Sequence, residues 1–152
     1  MGRFATGITI VSTQVNGRSY GFTANSFASV SLEPPMILCC IQNESSFIDH
    51  LKTTKKFAIS ILNDEQIDTS NLFANPCIDS IERFSIQEHE MSPLGNPIIS
   101  NSLTWIDCQL SELYKVGDHH VCIGTVHHMS TKAINGNPLL YYSGGYRKLH
   151  RV

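Results

Sequence analysis

The sequence predicts a mainly β protein: a small antiparallel β-barrel carrying a few short helices. Three observations support this: short runs alternating apolar with polar residues, hairpin signals between them, and few helical stretches. Closure into a barrel removes the open edges that so many short strands would otherwise expose. A doubly wound α/β sheet needs full helices alternating with strands, and here at most two short ones are available. The 152 residues, 41% hydrophobic and 16% charged, suit one domain over residues 1–152.

Along the chain, Thr6 to Val15 and Arg18 to Thr23 read as strands joined at Asn16-Gly17, a dipeptide that accepts the positive φ angles of a tight hairpin turn. Ser29 to Leu32 and Met36 to Ile41 are strands around Glu33-Pro34-Pro35, where prolines that cannot donate to a ladder predict a corner of the sheet. Ser45 or Ser46 caps a short helix with Phe47, Ile48 and Leu51 on one side and Lys52, Lys55 and Lys56 near its end. Phe57 to Leu62 reads as a buried strand and Asp64 to Phe73 as a helix. Asn75 to Ser102, rich in Pro, Asn and Ser and without a sustained period, reads as a long surface excursion. Leu103 to Lys115 and His119 to Met129 alternate on either side of Val116-Gly117-Asp118 and predict a long hairpin. Asn135-Gly136-Asn137-Pro138 is a further turn, followed by Leu139 to Tyr142 as the last strand, ending at Gly144-Gly145.

Composition excludes several functions. A formal charge of −2 leaves no cationic excess for a nucleic acid backbone. No apolar run approaches the roughly 20 residues of a membrane helix, and MGRFATG lacks a signal peptide's apolar stretch, so a soluble, cytoplasmic protein is expected. The 5 cysteines are an odd set with Cys39 beside Cys40, which argues against a disulfide framework and for a reducing compartment. Asn43-Glu44-Ser45 matches a glycosylation tripeptide, but without a secretion signal it reads as coincidence. Neither common glycine loop for nucleotides occurs. Metal is not expected at the histidines: on one extended strand His119 and His127 stand about 26 Å apart at ~3.3 Å per residue, and His119 and His120 face opposite ways, as do His127 and His128. Asp118-His119 is a close acid and imidazole pair, but no nucleophile elbow accompanies it. The unusual segment is GFTANSFASVSLEPP, Gly21 to Pro35. Its Thr23, Asn25, Ser26, Ser29 and Ser31 either hold a phosphate or polar ring edge by neutral hydrogen bonds, or cap their own loop.

RFATGITIV (Arg3 to Val11), TANSFASVSLEPP (Thr23 to Pro35), ERF (Glu82 to Phe84), GDHHVCIGTV (Gly117 to Val126) and PLLYYSGGYRKL (Pro138 to Leu149) follow one another in order. Together they resemble the flavin reductase-like domain, the short-chain NAD(P)H:flavin oxidoreductases that fold as an FMN-binding split barrel, over nearly the whole chain. The chain departs from the family pattern in three places. Arg3 and Phe4 stand near the start, where the family has a helix; only Gly95 and Pro97 match after Phe84; and Ser143 replaces a common basic residue.

The resemblance implies a flavin site at Thr23, Ala24, Asn25, Ser26 and Ser29, completed by Cys40, Ile41, Gln42, Ser45 and Ser46, with Arg83 adding a charged contact. Hydrogen-bond donors at Thr23, Ala24 and Asn25 would stabilise charge gained at the pyrimidine edge of the ring, and a helix start at Ser45 and Ser46 suits its phosphate. His119 matches a histidine near the nicotinamide, oriented by Asp118, while Tyr142, Gly144 and Tyr146 match a closing motif that would cover the nicotinamide. Phe84 reads as packing. The implied activity is hydride transfer from NADH or NADPH to FMN or FAD, with reduced flavin passing to a separate oxygenase, in a homodimer. The alternative is a flavin-binding module without turnover.

Overall fold

The computed structural model describes residues 2–131 and 136–149, so Asn135 of the expected turn lies outside the described residues. The fold is mainly β, with twelve strands and three short helices among the described residues. A seven-stranded antiparallel sheet dominates. Its strands are β2 (Thr9–Val15), β3 (Arg18–Ala24), β4 (Ala28–Leu32), β5 (Pro35–Gln42), β6 (Lys56–Ile61), β9 (Thr104–Val116) and β10 (His119–Thr131), in the spatial order β3-β2-β6-β9-β10-β5-β4. The two outermost strands, β3 and β4, are joined by residues 25–27 alone. Three residues reach only about 14 Å at ~3.4 Å per step, so the sheet curls to bring its outer strands together.

Each hairpin has a local cause. Asn16 and Gly17 adopt φ of 50° and 76°, and the β2–β3 register runs from Val15↔Arg18 to Thr9↔Ala24. At the prolines the expected corner is a tight hairpin instead: Pro35 is the first residue of β5 and stands opposite Leu32. A strand's first position tolerates a residue without an N–H. The long hairpin is present as β9 and β10, turning at Gly117 with φ 62°. Gly124 on β10 sits where the strands press on the core, since a Cβ there would stand 2.5 Å from the Phe57 ring.

The N-terminal strand is interrupted. β1 (Thr6–Gly7) leaves the main sheet to pair with β11 (Leu140–Tyr142), and the Ile8 N–H donates to Leu139 O at 3.2 Å. β11 is not the last strand: after a turn at Ser143 and Gly144, β12 (Gly145–Arg147) pairs back on it. Ser143 and Gly144 therefore make a turn, and Gly145 opens a further strand, where the last strand was expected to end.

Helix α1 (Phe47–Thr54) buries Phe47, Ile48 and Leu51, as its spacing predicts. Helix α2 (Ile67–Ala74) starts three residues later than expected because Asn63 organises a turn first: its Oδ1 accepts from the Glu65 N–H at 2.9 Å and its carbonyl from the Gln66 N–H at 3.1 Å. The stretch expected as a surface excursion is folded. It holds helix α3 (Ser80–Ile86) and the strands β7 (His89–Met91) and β8 (Pro97–Ile99), and residues 96–100 are buried. Polar side chains fasten it: Asn96 Nδ2 donates to Asp107 Oδ1 at 2.8 Å and the Leu94 N–H to Asp107 Oδ2 at 2.9 Å. Ser12 Oγ donates to Pro97 O and Lys56 Nζ to Leu94 O.

Two apolar clusters result. The larger, inside the main sheet, unites Val11, Ile41, Leu51, Phe57, Ile59 and Cys122. The smaller joins Ile10, Leu62, Phe73, Phe84, Ile99 and Leu139 beneath the helices and β11.

Candidate functional site

A groove of about 760 Å³ runs between β3, the start of α1 and the α2–α3 segment. One wall is β3 itself, from Tyr20 to Ala24, continuing through Asn25 and Ser26. Ser26 lies in the link between β3 and β4 and faces β5. Its hydroxyl accepts from the Cys40 N–H at 2.9 Å and donates to Cys40 O at 3.2 Å. Thr23 Oγ1 donates to Ser70 O at 2.7 Å, which fixes the β3 wall to α2. The Asn25 side-chain amide makes no hydrogen bond among the described residues and is exposed in the groove.

Opposite stand Cys40, Ile41 and Gln42 at the end of β5, then Ser45 and Ser46 before α1. Ser46 is the N-cap position without a side-chain cap; instead Ser45 Oγ accepts from the Phe47 N–H at 3.3 Å. The Ile48 and Asp49 N–H groups also bond back, to Ser45 O at 3.2 Å and Ser46 O at 3.1 Å. The first turn of α1 is thus largely satisfied locally, and the Ser46 hydroxyl remains at the groove.

Arg83 reaches the groove from α3, where Asp79 caps the helix by accepting from the Ile81 N–H at 2.8 Å. Its guanidinium donates to Gly21 O at 2.9 Å and to Asn75 O at 2.7 Å, and its Nε is buried with no partner among the described residues. Desolvation lowers its pKa, against the opposing effect of Asp79. The neighbouring Phe84 is packing: its ring meets Phe73 edge-on with centroids 4.9 Å apart.

His119, the first residue of β10 and paired with Gln42, lines the same groove. Asp118 Oδ1 stands 2.7 Å from His119 Nδ1, and this contact, hydrogen bond first and charge second, lowers the Asp118 pKa. A carboxylate at Nδ1 accepts a hydrogen bond from the Nδ1–H, which leaves Nε2 for a groove ligand. His120 does not line the groove. No three His, Cys, Asp or Glu side chains are arranged as metal ligands among the described residues.

The groove therefore unites Thr23, Ala24, Asn25, Ser26, Cys40, Ile41, Gln42, Ser45, Ser46, Arg83 and His119. Four expected residues lie outside its lining. Ser29 is on the exposed strand β4 opposite Ile37, because the chain has already crossed to the other edge of the sheet. Tyr142 and Gly144 belong to the β11–β12 hairpin, and the Tyr146 hydroxyl is taken by Ser70 Oγ and Asn71 Oδ1, each at 2.9 Å. The groove also has features not anticipated from the sequence. Tyr20 and His50 stack at one end with ring centroids 3.7 Å apart, and Asp79 and Ser80 line the α3 side. The Asp79-Ser80 cap was a legible signal for α3; the Tyr20–His50 contact, between distant strand and helix positions, had none.

Residues 1–150 match the sequence profile of the flavin reductase like domain. A probable flavin reductase of Rhizobium meliloti is 39% identical over 95% of this chain and 45% of its own length. Component B of a nitrilotriacetate monooxygenase from Mycobacterium thermoresistibile superposes with a TM-score of 0.92 at 35% identity, covering 98% of this chain and 82% of that one. The NADH:FAD oxidoreductase SgcE6 of Streptomyces globisporus, solved with NAD and FAD fragments, gives 0.91 at 29% identity over 98% of this chain and 88% of its own. The chain spans about half the length of the first curated relatives it matches. By its sequence profile over nearly every residue, and by a fold shared along almost its full length, this chain belongs to the flavin reductase like domain family.

Proposed function

We propose that this chain is an NAD(P)H:flavin oxidoreductase, using NADH or NADPH to reduce FMN or FAD and supplying the reduced flavin to a separate monooxygenase. The carrying observation is the groove itself, whose lining brings the uncharged polar residues Asn25, Ser26 and Ser46 together with His119, the ring that Asp118 contacts. About 760 Å³ suits a flavin with room for a second ring, within the range of small-molecule sites. When bound, the flavin supplies hydride acceptance and onward electron transfer. The chain's own part is to bind and orient. The free Asn25 amide and the backbone at Thr23 and Ala24 would meet the pyrimidine edge, Ser45 and Ser46 the phosphate, and Cys40, Ile41 and Gln42 the opposite edge. Arg83 holds the wall through Gly21 and would add positive charge to a flavin site there. His119 would present Nε2 to the nicotinamide, with Asp118 fixing the tautomer. A mostly neutral grip suits a flavin that must leave.

Relatives support this reading: one is a monooxygenase component, and another is an oxidoreductase solved with both nucleotides' fragments. We further propose a split barrel, favoured by the three-residue link between the outer strands, forming one domain over residues 1–152. A cytoplasmic homodimer completes the proposal. Exposed Phe4, Val30 and Leu32 favour self-association, which sedimentation would register as twice the chain mass. No described helix is long and apolar enough to cross a membrane.

The test is NADH or NADPH consumption by the purified chain with FMN or FAD. Oxidation well above the free-flavin background is expected, and none would overturn the reading. Asn25→Ala should weaken flavin binding by roughly tenfold, the scale of one or two neutral hydrogen bonds. His119→Ala should leave flavin binding unchanged and lower kcat.

A further inference from the structure

We propose that Asn43 is a positioning residue that fixes the Asp118–His119 pair at the groove wall, an inference that rests on the role given to His119 above. Gln42 and Glu44 on either side of it line the groove, but Asn43 does not; it turns behind the wall. There it grips both residues of the β9–β10 turn. Its backbone N–H donates to Asp118 O at 3.0 Å, and its Nδ2 donates to Gly117 O at 3.0 Å. The β5–β10 register ends one residue earlier, at Gln42↔His119, so Asn43 extends the tie past the last paired strand residues.

The turn it holds needs holding. Gly117, with φ 62°, is the first of its two central residues, and Asp118 is the second. The Asp118 side chain is 90% exposed, so nothing packs around its carboxylate to choose its rotamer. Its direction toward His119 Nδ1 follows from where the turn backbone places Cα, and Asn43 sets that placement through two carbonyls. The Asn43 Oδ1 atom is buried and has no hydrogen-bond partner among the described residues. Among these groups the amide is oriented by its donor, which faces the turn.

The test compares Asn43→Asp and Asn43→Ala with the natural chain. Asn43→Asp keeps the backbone bond and the side-chain outline but replaces the donor with an oxygen facing the Gly117 carbonyl. Asn43→Ala removes the donor without adding charge. Nitrogen-15 shifts of the His119 ring in the flavin-free chain should show the neutral ring protonated on Nδ1, and a mixture with the Nε2–H form in both variants. In turnover, both variants should lower kcat roughly tenfold, within the range a misplacement on the ångström scale produces, while flavin affinity stays within about twofold. In a His119→Ala background the same substitutions should cost nothing more, because Asn43 acts through that ring.

An unchanged tautomer in both variants overturns the proposal, as does an equal loss of kcat with and without His119. A shifted tautomer with kcat unchanged, in these variants and in His119→Ala alike, upholds the positioning by Asn43 and overturns instead the role given to His119.

Discussion

Cys108 shows how burial sets most of a pH response. It is fully enclosed, and burial, with smaller contributions from Asp107 and Cys39, pushes its thiol up to about 12 from 9.0. Cys39, hydrogen-bonded to Cys122 across the β5–β10 pair, is raised in the same direction. The unfolded chain releases the Cys108 proton near 9.0, whereas the folded one keeps it up to about 12. Its contribution is therefore complete below pH 9.0 and is lost as pH rises through that window. The loss is at most about 1.4 kcal/mol per pH unit. Urea midpoints measured on the alkaline side should fall less steeply with pH in Cys108→Ala than in the natural chain, and parallel slopes would count against this account. At this scale much was readable from sequence. Alternation on β5 separates Cys39 from Cys40, and Asp118-His119 adjacency announces a pair. The Tyr20–His50 stack and the second grip of Asn43 were not readable, because each joins side chains whose meeting depends on tertiary folding.

Among the elements, the β7–β8 hairpin was the least legible. Its strands have three residues each, too few to establish a period, and polar bonds add to the burial of Ile98 and Ile99 in fastening it. Asn96 is fully buried and ties its own segment through Ser92, whose hydroxyl accepts the Asn96 N–H at 2.9 Å, while its amide reaches Asp107. Asn96→Ala would leave one oxygen of a buried carboxylate unmatched and should cost about 1–3 kcal/mol in a urea melt. Limited proteolysis should then cut first between residues 88 and 102. A melt unchanged by the substitution would mean that β7 and β8 are held by apolar contact instead. Helix α1 and the two long hairpins were legible for the opposite reason: each carries its own turn or cap residues and buries one face at a regular spacing.

At the scale of the molecule, the curl of the sheet accounts for the site. Because β3 and β4 are the outer strands, residues 25–27 must cross the gap between them, and the groove opens beside that crossing. The sequence pattern indicated the strands but not their spatial order, so Ser29 was grouped with Asn25 and Ser26 although it falls on the far edge. Likewise the closing motif was readable as a motif, while its place on the separate sheet β1-β11-β12 depends on Thr6 and Gly7 leaving the main sheet. Ser26 spans the gap with one hydroxyl bonded to both the backbone N–H and the backbone carbonyl of Cys40. That hydroxyl works as a latch on the seam and as part of the lining at once. Removing it should therefore have two signatures together: Ser26→Ala should take up flavin more weakly and exchange the Cys40 amide proton for deuterium faster, while added flavin should slow that exchange in the natural chain. A Cys40 amide indifferent to both changes would mean that the seam is closed by the surrounding strands, and that occupancy of the groove leaves the clasp untouched.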